Sequence, residues 1–263
     1  MSKRKKTLIG SDHRKNFSKF LDFAARSHGG WKVFEDFLTI AAISISNSAD
    51  PNGIVTSKET IAEREKRYLS TINNYSKSEQ KFLVSMFAEL VLELESNFTG
   101  NRLPHLVDVL GELFHELNFN DHWKGQFFTP QHICDLTGKL VIGDNEKIQK
   151  EISERGYFTV YEPCCGGGAM IYGAVNSMFE IGLNPNKNVL VVAGDIDERC
   201  VFMTYIQCSL YGIPAVIRQK NALKDEFLGE VWFTPLYILN KWRWNRSVNC
   251  NGDEKKNYVS RQV

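Results

Sequence analysis

Residues 161–168, Tyr-Glu-Pro-Cys-Cys-Gly-Gly-Gly, constrain the fold more than any other stretch of this chain. They follow a short β-rich run, Tyr157, Phe158, Thr159, Val160 and Tyr161, and precede a helical pattern over 169–181. An acidic residue, a proline and three glycines between strand and helix predict a tight turn. Glycine permits positive φ and lets a ligand approach with no Cβ in the way. Amides at the start of the following helix are then placed to face that ligand. An ordinary glycine-rich turn fits the same residues, so the rest of the chain has to decide.

The residues after the turn favour a ligand. Asn-Val-Leu-Val-Val-Ala at 188–193 is a continuous β-branched run of the kind that makes a fully buried parallel strand. Gly-Asp-Ile-Asp-Glu at 194–198 ends it, a helical pattern covers 199–211, and 215–217 is strand-like, with a turn at 220–223. Strand, glycine loop, helix, strand with an acidic tip, helix, strand is the order of a dinucleotide-type half of a doubly wound fold. A carboxylate at the second strand tip is placed to accept both hydroxyls of a ribose. Asp195 is the first candidate and Asp197 the second, the alternative being that Asp195 only caps the next helix. Asn221, at the tip of the third strand, can hydrogen-bond an adenine edge. Glu162 either faces a cationic part of a ligand or braces the loop by accepting backbone N–H bonds. Cys165 reads as a small packing residue beneath the loop, because no histidine lies near it in sequence to generate a thiolate.

Upstream, apolar residues recur at three and four along 11–119 and predict a helical N-terminal domain. The clearest stripe is Phe82, Leu83, Met86, Phe87, Leu90, Val91 and Leu94, and a later one is Leu106, Val109, Leu110, Leu113, Phe114 and Leu117. These stripes read as packing faces. Gln-Phe-Phe-Thr-Pro at 126–130 precedes a helical pattern over 131–140, with Thr129 suited to cap it and Pro130 to its first position. Residues 144–156 are polar, a helix or a connector.

Composition narrows the classes. The net charge of +1 gives no overall basic field, so nucleic-acid affinity would have to come from local patches. Six cysteines without a signal peptide predict reduced thiols in a cytoplasm, and none has the paired spacing of a zinc site. No apolar run is long enough to cross a bilayer. The basic start, Lys3, Arg4, Lys5 and Lys6, reads as solvated charge.

Three motifs together, Gly-Gln-Phe-Phe-Thr-Pro at 125–130, Glu-Pro-Cys-Cys-Gly-Gly-Gly at 162–168 and Gly-Asp-Ile-Asp-Glu at 194–198, resemble adenine-specific DNA methyltransferases. In particular they resemble the modification subunit of type I restriction–modification systems, which also carries helices ahead of the Phe-Thr-Pro element. The resemblance covers roughly residues 80–225. It implies S-adenosylmethionine as cofactor, with Phe128, Thr129, Pro130, Glu162, Pro163, Cys165 and Gly166 around its methionine part. It also implies Asp195 on the ribose, Asn221 beside the adenine, and DNA and a separate specificity or complementing subunit as partners. The family's catalytic motif is Asn or Asp, then Pro-Pro, then Tyr or Phe, and it grips a flipped adenine. No such motif occurs here. The nearest segment is Thr-Pro-Leu-Tyr at 234–237, where Thr234 and Pro235 would hydrogen-bond the base and Tyr237 would stack on it. A hydrophobic strand or docking segment over 232–239 is the other reading.

The expectation is therefore a helical domain over 1–119, a Rossmann-like cofactor domain over 120–240, and a basic polar tail over 241–263. The fold class is α/β, a truncated Rossmann-like methyltransferase core behind an α-helical N-terminal domain. In the tail, Trp242 and Trp244 beside Arg243 and Arg246 either contact nucleic acid or form the last packed turn. The function expected is methyl transfer to the exocyclic amine of adenine in DNA. The alternative is a catalytically degenerate module that binds S-adenosylmethionine or DNA. A dinucleotide-dependent oxidoreductase also uses an acidic strand tip, but it needs a Gly-x-Gly-x-x-Gly loop that the chain lacks.

Overall fold

A parallel β1–β2–β3 unit with helices on one face forms the centre of the molecule. The computed structural model describes residues 11–98, 103–117, 129–143 and 146–242. The strands are β1 (Phe158–Glu162), β2 (Val189–Asp195), β3 (Ala215–Asn221) and β4 (Glu226–Phe233), in the spatial order β1-β2-β3-β4. β1 pairs with β2 and β2 with β3 in parallel, in the registers Val160↔Val191 and Ala193↔Ile217. The crossovers are α8 (Ala169–Glu180) with the short α9 (Pro185–Asn188), and α10 (Glu198–Leu210). β2 is buried along its whole length, as its unbroken apolar run predicts.

β4 departs from a doubly wound pattern. It runs antiparallel to β3, with Asn221 opposite Glu226 and Val216 opposite Phe233. The short turn at 222–225 permits only a hairpin, because a parallel return needs a crossover of a dozen residues or more. Among the described residues β1 therefore forms one edge of the sheet and β4 the other.

The helical part precedes the sheet. It comprises α1 (Asp12–His28), α2 (Gly30–Ala49), α3 (Lys58–Ile72), α4 (Lys77–Ser96) and α5 (Val109–Glu116). Then come α6 (Gln131–Ile142) and α7 (Glu146–Arg155), and α11 (Pro235–Leu239) follows β4. Ser57 caps α3, and Ser76 with Glu79 forms a capping box on α4. Phe17, Phe37, Met86 and Leu90 lie in the same continuous core as Val191, Ile217 and Tyr205, so the N-terminal helices and the sheet share one hydrophobic interior. Arg64 of α3 clamps the two parts. It is 2% exposed, donates to Glu230 (2.6 Å), to Ser46 (2.6 Å) and to the Val231 carbonyl (2.8 Å), and lies 3.7 Å over the Trp232 ring. A second cluster, with Leu190, Val192, Val216, Phe233, Tyr237 and Trp242, covers the other face of the sheet. The tail beyond Trp242, including Arg243, Trp244 and Arg246, lies outside the described residues, as does the basic start. Among the described residues no helix is long and apolar enough to cross a membrane.

Candidate functional site

Two helices packed in parallel bring distant motifs together. The Asp135–Asn176 hydrogen bond (2.9 Å) and the Lys139–Glu180 ion pair (2.8 Å) advance in step, so α6 and α8 run the same way. They touch backbone to backbone at Gly138 and Gly173. A Cβ on Gly138 would land on the Gly173 carbonyl, and one on Gly173 would land on the Cys134 carbonyl. This register sets Thr129 and Pro130, at the start of α6, beside Ala169 at the start of α8. Pro130, not Thr129, is the N-cap residue of α6, and no side chain caps that helix. The expected capping role of Thr129 is thereby corrected, since the helix begins one residue later, at Gln131. Phe128 lies outside the described residues.

The glycine loop is held rigidly from beneath. Gly166 (φ 54°) and Gly168 (φ 102°) take the left-handed conformations the sequence demands of them. The Gly166 carbonyl accepts from the Thr204 hydroxyl (2.8 Å). The Gly167 carbonyl accepts from the Tyr172 hydroxyl (3.0 Å) and from Gln207 Nε2 (2.9 Å). Cys165 is buried, its N–H donates to the Gly194 carbonyl (2.9 Å), and burial pushes its thiol well up. That is a packing residue rather than a nucleophile. Glu162 Oε1 accepts from the Cys164 N–H (3.1 Å), which is the bracing arrangement. Pro163 lines a separate shallow hollow with Tyr161, Arg218 and Phe227. Gly168 caps α8 with no side-chain hydrogen bond, so the first amides of that helix have no side-chain acceptor at their cap.

The two aspartates after β2 divide the work. Asp197 caps α10, accepting from the Arg199 N–H (2.9 Å) and pairing with the Arg199 guanidinium (2.7 Å). Asp195 faces the loop instead, accepting from the Gly166 N–H and the Asp197 N–H (3.0 Å each). Burial raises its carboxyl above the ordinary range. Asn221 Oδ1 accepts from the Leu223 and Lys224 N–H groups (3.1 Å each) and so shapes the hairpin turn.

At the junction of α6 and α8 lies a cavity of about 400 Å³. Thr129, Pro130, Gln131 and Ala169 line one side, and Arg14, Asp108, Glu112, His115 and Glu116 of the helical part line the other. Asp108 is the N-cap of α5 and is only 3% exposed. Its Oδ1 accepts from the Gly111 N–H (2.8 Å) and from Gln207 Nε2 (2.9 Å), which ties α5 to α10 and to the loop. A Cβ on Gly167 or on Gly111 would fall inside its carboxylate, so Asp108 and both glycines require one another. Burial pushes its carboxyl up to about 6. Sequence reasoning missed these residues because the helices carrying them read only as packing faces. The one available signal was an aspartate opening an apolar helix with a glycine three residues on.

The Thr-Pro-Leu-Tyr segment is not part of this site. Because β4 runs antiparallel, residues 234–237 lie at the edge of the sheet where β3 begins, opposite the loop edge. Thr234 is fully buried, its hydroxyl donating to the Ile213 carbonyl and accepting from the Ala215 N–H (2.8 Å each). Tyr237 is 4% exposed and stacks on Phe233 with ring centroids 5.1 Å apart. Pro235 opens α11. Thr234, Pro235 and Tyr237, expected as catalytic, therefore stand apart from the cavity, with Thr234 and Tyr237 packed into the other end of the sheet.

Parallel strands, a braced glycine loop and a carboxylate at the next strand tip define a nucleotide-cofactor-binding α/β protein. The sequence profile of the N-6 DNA methylase family matches residues 107–245, more than half of the chain, and the chain belongs to that family. No curated protein sequence matches it significantly. Among solved structures, it is similar to a protein from Listeria monocytogenes assigned as a class I S-adenosylmethionine-dependent methyltransferase. That match has a TM-score of 0.42 and 14% identity over 89% of this chain and 71% of the other. It is also similar to a modification subunit assigned to a type I restriction enzyme of Vibrio vulnificus (TM-score 0.42, 10% identity, 83% of this chain and 57% of the other). A third is a type I restriction–modification methyltransferase subunit of Streptococcus thermophilus (0.39, 12%, 83% and 59%). The chain thus spans under two thirds of the length of either subunit.

Proposed function

We propose that this chain binds S-adenosylmethionine and serves adenine-N6 methylation of DNA, in the manner of a modification subunit of a type I restriction–modification system. One observation carries the reading. Thr129, Pro130 and the uncapped start of α8 meet at one cavity, and Asp195 stands at the neighbouring strand tip. The donor set suits the group. Thr129, Pro130 and the α8 amides would hold its methionine part and Asp195 its ribose, with Asn221 near the adenine. Glu162 and Cys165 keep the loop in shape, and Gly166 lets the chain turn with its N–H held by Asp195.

The cofactor supplies an electrophilic methyl group. The protein's part is to place that methyl and to exclude water from it. The groups that would grip a flipped adenine have no candidate among the described residues once residues 234–237 are set aside. In a doubly wound sheet they belong at the switch point, beyond the first strand, which here is the β1 edge of the sheet as formed by the described residues. On this reading DNA and a complementing or specificity subunit meet the molecule on that side.

The burial of Tyr237 favours a second reading, a cofactor-binding module without turnover. Transfer of labelled methyl from S-adenosylmethionine to unmethylated DNA, with calorimetric cofactor binding on the same preparation, separates the two. Binding with transfer, both lost in Asp195→Ala, supports the methyltransferase. Binding without transfer supports the module, and absence of binding refutes both.

A further inference from the structure

Several buried side-chain polar atoms have no hydrogen-bond partner among the described residues, and three of them belong to residues lining the cavity between α5 and α6: Asp108 Oδ2, Glu116 Oε2 and Gln131 Oε1. All three are acceptors. Gln131 is held by its own Nε2, which donates to Asp135 (2.9 Å), while Oε1 has no partner among the described residues. Glu112, the third carboxylate of the lining, is already paired with Arg14, which also donates to Glu93 (2.6 Å). The Arg14 guanidinium stands 3.9 Å from Glu116 Oε1, so Oε2 of that residue remains uncommitted. Buried acceptors without donors are costly. Three of them on residues that line one space call for a donor-rich cation. An ammonium group has three N–H donors and no acceptor.

We propose that Asp108, Glu116 and Gln131 form an ammonium-recognition site that takes the α-amino group of the cofactor's amino-acid end, with Arg14 as a positioning residue that neutralises Glu112 and Glu93. The proposal rests on the S-adenosylmethionine reading and assigns a binding task to the helical part of the chain. The amino acid's carboxylate would then turn toward the uncapped amides of α8, beside Ala169. Burial holds the Asp108 carboxyl near 6 and also raises that of Glu116, the state of acids that gain by meeting a cation.

The test is calorimetric binding of three ligands to the full chain. They are S-adenosylhomocysteine, its analogue lacking the α-amino group, and 5′-methylthioadenosine, which lacks the whole amino-acid end. S-adenosylhomocysteine is used because its neutral sulfur isolates the contribution of the ammonium. The wild-type protein should prefer it over the deaminated analogue by about tenfold to a hundredfold, the size of hydrogen bonds to a charged group. Asp108→Asn and Glu116→Gln should each erase most of that preference and leave 5′-methylthioadenosine binding unchanged. Asp108→Asn keeps Oδ1 for Gly111 and Gln207. If that variant fails to fold, Glu116→Gln, at the accessible end of α5, carries the test. Equal wild-type affinity for the amino and deaminated ligands overturns the site while leaving the cofactor reading intact. Equal losses for all three ligands in the variants also overturn it. Wild-type protein that binds none of the three overturns the cofactor reading and the site with it.

Discussion

The two ends of the sheet are built on opposite principles. Where β3 begins, Thr234 is fully buried and its hydroxyl both donates and accepts at 2.8 Å, while Tyr237 stacks on Phe233. Where β1 and β2 end, Asp108, Glu116 and Gln131 help line a cavity and each carries an acceptor unmet among the described residues, and burial holds the Asp108 carboxyl near 6. One end is packed by its own side chains; the other carries the acceptors on which the proposed site rests. Both contain residue types that chemistry uses, so residue type alone does not separate them. Clustering does: among the described residues the closed end has a lone unmet donor, Trp242 Nε1, whereas three unmet acceptors belong to residues that line one cavity. Unmet buried polarity is costly to stability, and a fold retains it where a ligand compensates.

The largest effect should come from the closed end. Tyr237→Ala removes a buried ring and is expected to cost about 3–5 kcal/mol of stability, read by denaturant unfolding. Cofactor affinity of the folded fraction should not change. A Tyr237 variant of normal stability that lost methyl transfer would break the comparison.

Asp108→Asn tests the open end through pH. A carboxyl raised from its ordinary 3.8 to about 6 stabilises the fold only while protonated. That contribution is complete below pH 4 and is lost as pH rises through 6. Arg14 of α1 and Glu112 of α5 face this group with opposite effects, and burial outweighs both. The Asp108→Asn variant escapes the loss. It should be more stable than wild type by about 3 kcal/mol at pH 8, the value of some two pKa units, with the gap closing below pH 4. The same variant is expected to bind S-adenosylhomocysteine less well. Stability gained where binding is lost would sharpen the contrast between the ends; no dependence of the gap on pH would refute it. Thr234→Val should be milder, about 2 kcal/mol, because it leaves the Ala215 N–H and the Ile213 carbonyl buried without their partner.

Much of this is legible in the sequence, and the exceptions have physical causes. The order of β1, α8, β2, α10 and β3 can be read because each strand carries adjacent β-branched or aromatic residues and the first two end in an acid. The loop's conformations follow from its glycines. β4 is not legible in this way: its first five residues are exposed, only its end is buried, and the apolar stretch over 232–239 that reads as a possible strand is divided between the end of β4 and α11. The length of the turn carries its direction, since residues 222–225 are too few for a parallel crossover. That short turn also decides the placement of residues 234–237, away from the loop edge. Asp108 is illegible for a different reason. What marks it out is contact with Gly167 and Gln207, far along the chain, and no local pattern encodes such a meeting.

The smallest expected effect concerns Asp195 and Asp197, neighbours that the sequence could rank but not separate. Asp197 is spent on α10: it caps the helix and holds Arg199, which also reaches Glu35 (3.0 Å). Asp197→Ala should therefore cost about 1 kcal/mol, as the loss of an N-cap does, and leave cofactor affinity within about twofold, well below the tenfold that 1.4 kcal/mol represents. Asp195→Asn preserves the shape of the strand tip and one carbonyl acceptor for the loop, yet removes the charge and one of the two oxygens a ribose diol would use. It should weaken 5′-methylthioadenosine, which carries the ribose but no amino-acid end, and S-adenosylhomocysteine by similar factors. Loss of the Asp108 carboxylate, in contrast, should weaken only the latter. Parallel titrations of the two ligands against both variants would divide the open end into a ribose half and an ammonium half. If Asp195→Asn instead spared 5′-methylthioadenosine, the carboxylate would be a brace for Gly166, and the ribose would have to be held elsewhere.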